Sequence, residues 1–428
     1  MRGVCASVRL PAELRAFWIA SLVAFGLTCV VGWLKYHAGQ GKFNWDPFSD
    51  QLFFDLNEYR ATYSLLHTSA FFFNFPDHPW PYPMWGAVAY PPFAAAVMAP
   101  MYAFPIPDLV YLAVAAGWLA AAVWWIRRAL ARSGIDPLTA MLLPLTLLLV
   151  SFPIARMLHQ GNIELVVWMF TAVGAWAFMT GRDHAAAALW GLAAAMKLFP
   201  LILLSLLLPR RHYRAFVAGV AAFVGATLAS LWWLGPTVSV AWRGSLENVF
   251  GYQGFRIKQW TLASLATNHS LIEPVKMVAV IVHYPLEKVV LPYYTCGALM
   301  IAFVFIKKLW KMPQANQLLA VSAFMLMFPT ISYYHTLVHL YAPLAVLGWV
   351  AIRAQRAGVT VPGLKTTMLL FVPLFASFTL LTYPRAFVYC GVVQALVLVT
   401  VFLRATEYRF EAPADAGHEA AGSDSTFR

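Results

Sequence analysis

The sequence predicts an all-α polytopic membrane protein, and three observations carry that prediction. Of 428 residues, 61% are hydrophobic and 11% charged, against about 25% charged in a soluble globular domain. Mean hydropathy is +0.67. Several apolar runs approach or exceed the roughly 18 residues that a spanning helix needs. The net charge of +12 does not point to nucleic acid, because Lys and Arg cluster at the ends of apolar segments, as in cytoplasmic loops, and no nucleic-acid-binding motif is present. The four cysteines, Cys5, Cys29, Cys296 and Cys390, form no CxxC pair, so neither a disulfide framework nor a metal cluster is expected.

In chain order, the basic start and long apolar run of residues 1–37 fit an uncleaved signal anchor, since no small-x-small cleavage site closes the run. About twelve spans follow from hydropathy, near 15–36, 91–105, 108–127, 138–156, 162–180, 185–208, 214–235, 287–306, 317–334, 336–352, 366–383 and 386–404. With the N-terminus cytoplasmic, the basic stretches at 209–214, 306–311 and 352–356, and Arg404, all fall inside. The stretch "RRALAR", Arg127 to Arg132, falls outside on the same count, which marks a misdrawn span between 91 and 156; the short, Pro-bounded 91–105 segment is the weakest. The count also separates Asn162 from the first long loop. One membrane domain therefore covers 1–406. It has external loops at 37–90, bearing an interfacial helix, and 236–275, while 407–428 reads as a polar, disordered cytoplasmic tail.

The first loop carries "SDQLFFDLNEYRATYSLL". Asp55 and Tyr59 are four apart on a helical face and Glu58 is three from Asp55. A carboxylate among Phe53, Phe54 and Leu56 is a candidate general base, its proton affinity raised by desolvation. The same spacing fits a solvated helix face, with Arg60 as partner. "YPPF", Tyr90 to Phe93, places two prolines where a helix begins. "GNIE" puts Asn162 and Glu164 at the mouth of a span, and Glu164 fits either an intramembrane acid that faces a cavity or a partner, or an interfacial one. Lys197 lies in an apolar run three residues before Pro200, where the ring breaks a helix. An ammonium there needs an anionic partner, either Glu164 or a substrate phosphate.

In the second loop, Arg256, Lys258 and Trp260 could bind a phosphate and stack a sugar, while Asn268-His269-Ser270 formally matches a glycosylation sequon. His335 and His339 stand at i and i+4. That spacing suits a metal pair, but there is no HExxH and no third ligand, so satisfied histidines are the simpler reading, and His335 could also donate to a phosphate. There is no Walker A loop, GxGxxG, Asp-x-Asp or GxSxG, so nothing announces a nucleotide, a metal-held nucleotide-sugar or a serine hydrolase.

Taken in order, these pieces resemble glycosyltransferase family 87, polyprenyl-phosphate-dependent enzymes of the GT-C type that include bacterial alpha-mannosyltransferases. The resemblance rests on Asp55 with Tyr59, on Tyr90-Pro91-Pro92, and on Gly161-Asn162-Ile163-Glu164 where the family has Gly-Gln-x-Asn. It continues with Lys197 and Pro200, with Asn268-His269-Ser270 for Asn-Gln-Ser, and with Ser332-Tyr333-Tyr334-His335 for Ser-Trp-x-His. It runs from about residue 50 to 345. It implies a GT-C fold in the inner (plasma) membrane and an inverting transfer of a hexosyl residue, mannose favoured, on the non-cytoplasmic side. The donor is a polyprenyl-phosphate sugar and the acceptor a lipid or glycan, among membrane lipids, without nucleic acid, cofactor or obligatory metal. Asp55 is the implied base. Glu58, Tyr59, Asn162, Glu164, Lys197, Arg256, Asn268, Ser270 and His335 are the implied substrate-binding residues. Two other readings compete: a transporter or flippase using Lys197 and Glu164 near a broken helix, and a scaffold subunit. Transport should tolerate loss of Asp55; transfer should not.

Overall fold

The structure is a computed structural model that describes residues 9–37, 52–53, 55–56, 60–69, 71, 90–258, 260–376 and 390–411. The expected disordered tail and most of the first loop, including Glu58 and Tyr59, lie outside the described residues. Among the described residues the chain is helical, with one isolated bridge, Asn268 to Tyr333, and no strand. Six helices are long and apolar enough to cross a membrane, or seven if the bent pair Pro137–Leu149 and Phe152–Gln160, at 56°, is one span. Ala12–Val31, Pro107–Arg132, Tyr213–Leu234 and Leu286–Lys311 bury little of their surface against the protein and present Leu, Val and Trp outward, as lipid-facing helices do, whereas Tyr334–Arg356 and Cys390–Glu407 are packed well into it.

Local chemistry sets the helix boundaries. Pro92, Pro107 and Pro137 each sit in the first turn of a helix, where a missing N–H costs nothing. Asp136 caps its helix by accepting from the Thr139 amide at 2.8 Å, and Gly161 ends Phe152–Gln160 in the left-handed region, φ 66°.

Two ends of the molecule are distinguished by what meets there. At one, Arg356 donates to the Arg132 carbonyl at 3.4 Å and Gln355 to that of Arg9 at 3.0 Å. Trp125 stands edge-on to Trp176 at 4.8 Å, and Arg210 and His212 both bind Asp183, at 2.6 and 2.5 Å. At the other, the Tyr111 hydroxyl donates to the carbonyls of Met157 and Asn162, Arg60 donates to Pro105 O, and the His67 amide donates to Leu234 O at 3.1 Å.

These contacts correct two of the drawn spans. The 91–105 segment is the helix Pro92–Tyr102 of 11 residues, roughly 16 Å at 1.5 Å per residue against a hydrocarbon core of about 30 Å. It does not carry the chain across. Pro107–Arg132 therefore begins at the loop end, and the 127–132 cluster joins Arg9 and Arg356, which resolves the disagreement over "RRALAR". The 185–208 segment is a hairpin instead of one span. Asp183–Met196 rises from the basic end, breaks at Lys197, and returns as the 3-10 stretch Phe199–Leu207 to bring Arg210 back to Asp183. Each error reverses every later assignment, so together they cancel beyond residue 209, where the basic stretches agreed.

The hairpin packs tightly. A Cβ on Gly191 would lie 2.2 Å from the Gly219 carbonyl of Tyr213–Leu234, the close backbone approach that small residues allow between membrane helices. At the loop end a core of Leu56, Tyr63, Tyr111, Met157, Trp168 and Val338 underlies the residues described next.

Candidate active site

Three chain breaks converge at the loop end. The first is the turn Gly161-Asn162. Its left-handed glycine admits the loop from the first helix: a Cβ at Gly161 would meet Leu56 Cβ at 3.0 Å and the Phe53 ring at 3.3 Å, and the Phe53 amide donates to the His159 carbonyl at 2.7 Å. The second is Lys197. Pro200 cannot donate to the Met196 carbonyl and its ring crowds it, so the helix stops at Met196 and Lys197 is extended at φ −146°, ψ 129°. The third is the 3-10 stretch Tyr334–Leu340, which carries His335 and His339.

Asn162 is the hub. Its Nδ2 donates to Asp55 Oδ2 and, at 3.2 Å, to the Tyr90 hydroxyl. Its Oδ1 accepts from the Glu164 amide at 2.9 Å and faces Lys197 Nζ at 3.4 Å. Lys197 Nζ reaches Glu164 Oε2 at 2.5 Å and lies 5.4 Å from the Tyr90 ring centre. Glu164, wholly buried, gives its other oxygen to His339 Nε2 at 2.5 Å, and His339 Nδ1 is 2.7 Å from the Thr171 hydroxyl. His335 is buried with Nε2 3.9 Å from Glu164 Oε2, and its Nδ1 has no hydrogen-bond partner among the described residues. Glu164 is thus a buried, paired acid and not an interfacial one, and the partner of Lys197 is Glu164. Asp55, in the loop outside the spanning helices, has its carboxyl pushed up to about 6 by burial, against the opposing pull of the Asn162 hydrogen bond and the Lys197 charge.

The structure brings together Asp55, Asn162, Glu164, Lys197 and His335. It does not bring Arg60 to Asp55; Arg60 binds the Pro105 carbonyl instead. Asn268 and Ser270 are buried and committed to protein partners. Asn268 donates to Glu273 and Thr330 O and accepts from the amides of Ser270 and Ser332, while Ser270 Oγ donates to Met327 O and accepts from the Ile272 amide. At 3% exposure Asn268 is also out of reach of glycosylation. Burial pushes the neighbouring His269 down to about 3, so it is a neutral imidazole, with Nε2 at the Ser332 hydroxyl, 2.8 Å. Arg256 falls on the helix Val238–Lys258, its side chain outside the described residues.

Sequence reasoning gave Tyr90 no role beyond a helix start and missed Thr171 altogether. A signal existed for the latter: in "ELVVWMFTAVGAW" it is the next polar side chain after Glu164, seven residues on and so on the same face.

Replacing Gly161 by Ala forces a side chain into both the left-handed region and the Asp55 loop. The expected result is correctly inserted protein with sugar transfer reduced by about 10²-fold, the order that a misplacement of about 1 Å costs, measured against wild type at equal folded amount.

No curated protein matches the chain. The sequence profile of glycosyltransferase family 87 matches residues 88–332, more than half the chain and every described element of the site except the Asp55 loop and the 3-10 stretch bearing the two histidines. The chain belongs to glycosyltransferase family 87 and is a membrane glycosyltransferase.

Proposed function

We propose that the enzyme, on a GT-C type scaffold, transfers a hexosyl residue, with mannosyl as the leading case, from a polyprenyl-phosphate-linked donor to a lipid or glycan acceptor. The observation that carries the reading is the carboxylate of Asp55, raised in proton affinity and held by Asn162 next to the Lys197 ammonium. In the proposed step the acceptor hydroxyl oxygen attacks the anomeric carbon from the face opposite the phosphate, and configuration inverts. The O–H proton passes to Asp55. The bond from the anomeric carbon to the phosphate oxygen breaks, and its electron pair leaves with polyprenyl phosphate. Lys197 and the unpartnered Nδ1 of His335 are the groups suited to meet the charge that develops there. Tyr90, Tyr59, Glu58 and Arg256 would line the sugar and phosphate paths. Asn268 and Ser270 serve the site by tying the 268–271 segment to the strand-like stretch that leads into His335.

The gathering of Arg9, Arg132, Arg210 and Arg356 at the far end supports a cytoplasmic assignment for that end, with the site facing outward from the inner membrane. In a cysteine-free background, Thr68→Cys is expected to react with an impermeant maleimide on intact cells and Ser133→Cys only after permeabilisation. The reverse pattern would invert the topology.

The direct test is transfer of label from polyprenyl-phosphate mannose to a membrane lipid extract by purified protein in detergent with EDTA. The pH profile adds a second expectation. Asp55 must be ionised to take the proton, and its value near 6 in the free enzyme means that kcat/KM is full above about pH 7 and falls tenfold per pH unit below about pH 5. An acidic limb centred near pH 4, the ordinary Asp range, would mean that the carboxylate is solvated in the free enzyme.

A further inference from the structure

The second histidine of the i, i+4 pair has no part in the chemistry above, yet it touches more of the site's framework than His335 does. His339 is buried. Its Nε2 meets Glu164 Oε1 at 2.5 Å and its Nδ1 meets Thr171 Oγ1 at 2.7 Å. Its ring stands edge-on to Phe199 at 5.4 Å, two residues past Lys197 at the tip of the hairpin. We propose that His339 is a positioning residue: anchored by Thr171, it fixes Glu164 so that Lys197 stays beside Asn162 and Asp55.

The argument is one of competing partners. Glu164 is fully buried, so its orientation is set by protein groups. His339 takes Oε1 and Lys197 takes Oε2. Without the imidazole, Oε1 is a buried carboxylate oxygen with no donor, a costly state. The nearest remedy is rotation of the carboxylate to offer both oxygens to the Lys197 ammonium. That draws Nζ from Asn162 Oδ1, already long at 3.4 Å, and away from Asp55. The Lys197 charge is one of two influences that hold Asp55 down against burial; weakening it raises Asp55 further. Among the described residues, the other charged or titratable groups near Asp55 are Tyr90, which shares Asn162 Nδ2 with it, and Tyr102 and Tyr111, with Arg60 and Asp108 beyond Tyr102 and Glu164 beyond Tyr111. Of these, Glu164 bonds His339.

The inference rests on the reading of Asp55 as base, so the test needs a readout besides turnover. Dicyclohexylcarbodiimide labels protonated carboxyls in apolar surroundings. The pH of half-maximal labelling of Asp55, followed by peptide mass spectrometry on the full-length protein without substrate, reports its ionisation. Half-labelling is expected near pH 6 in wild type and higher by about half a pH unit in His339→Ala, with kcat down about tenfold. His339→Gln, whose amide can still donate to Glu164, is expected to restore both. Should His339→Ala fail to fold, Thr171→Val, close to isosteric, carries the test with a smaller shift in the same direction. An unmoved midpoint in the folded variants overturns the inference. Asp55→Asn runs alongside: if it is inactive while the midpoint is unmoved, only the role of His339 falls; if it transfers like wild type, the base assignment falls and takes this inference with it.

Discussion

Replacing Asp55 by Asn lowers sugar transfer by about 10²–10⁴-fold, the range a general base contributes, and leaves the donor KM close to wild type. The geometry makes the substitution diagnostic. Asn keeps an oxygen that can accept from Asn162 Nδ2, so the loop stays where it is and only the proton acceptor is lost. The interaction removed is one that matters in the transition state, and such losses appear in kcat more than in KM. Asp55→Glu is expected to be nearly as damaging for another reason. The extra methylene pushes the carboxylate into Asn162 and Tyr90, and about 1 Å of misplacement costs roughly 10²-fold. The pair separates loss of the base from loss of its position, because Asp55→Glu should retain an acidic limb in its residual activity and Asp55→Asn should not. A fully active, folded Asp55→Asn would mean that a different group takes the proton.

The same site shows what a sequence can and cannot disclose. Lys197 and Pro200 together announced a broken helix, and the break is there, because a proline dictates the backbone of the residues before it wherever they sit. The direction in which the chain leaves the break was not legible. Hydropathy registers that 185–208 is apolar and is blind to whether it crosses or turns back, since both courses lie in lipid or protein. The short helix at 92–102 escaped for the same reason: its residues are apolar enough to span and too few to do so. Contacts of the site depended on long-range packing. Glu164 and His339 are 175 residues apart, and the i, i+4 spacing of the histidines suggested either a metal pair or satisfied rings. In the structure both nitrogens of His339 have protein partners, while His335 turns toward the site. The Asn268 segment shows the opposite error, in which a polar tripeptide reads as a binding loop while its side chains are spent on holding the fold.

Substituting Glu164 by Gln is expected to be the most destabilising single change at the site. The carboxylate is fully buried and answers both Lys197 and His339 at 2.5 Å. Neutralising it takes from the largely buried ammonium the counter-charge it is bonded to, and removing one member of a buried pair costs about 3–5 kcal/mol. Lys197→Met is expected to be milder in stability, because Glu164 keeps His339 and has His335 within 3.9 Å. In transfer it should be as severe, since the cation nearest Asp55 and the departing phosphate is gone. The double variant, Glu164→Gln with Lys197→Met, distinguishes a structural pair from a working one. It should regain much of the heat resistance that Glu164→Gln loses, as replacement of a whole buried pair often does, and stay inactive. The measurement is the fraction of protein that remains monodisperse in detergent after heating, read beside transfer at equal folded amount. If the double variant recovered activity together with stability, Lys197 would serve only to neutralise Glu164. If Glu164→Gln withstood heat as wild type does, the Asp55 carboxylate, which already feels the Lys197 charge, would be supplying the counter-charge in place of Glu164.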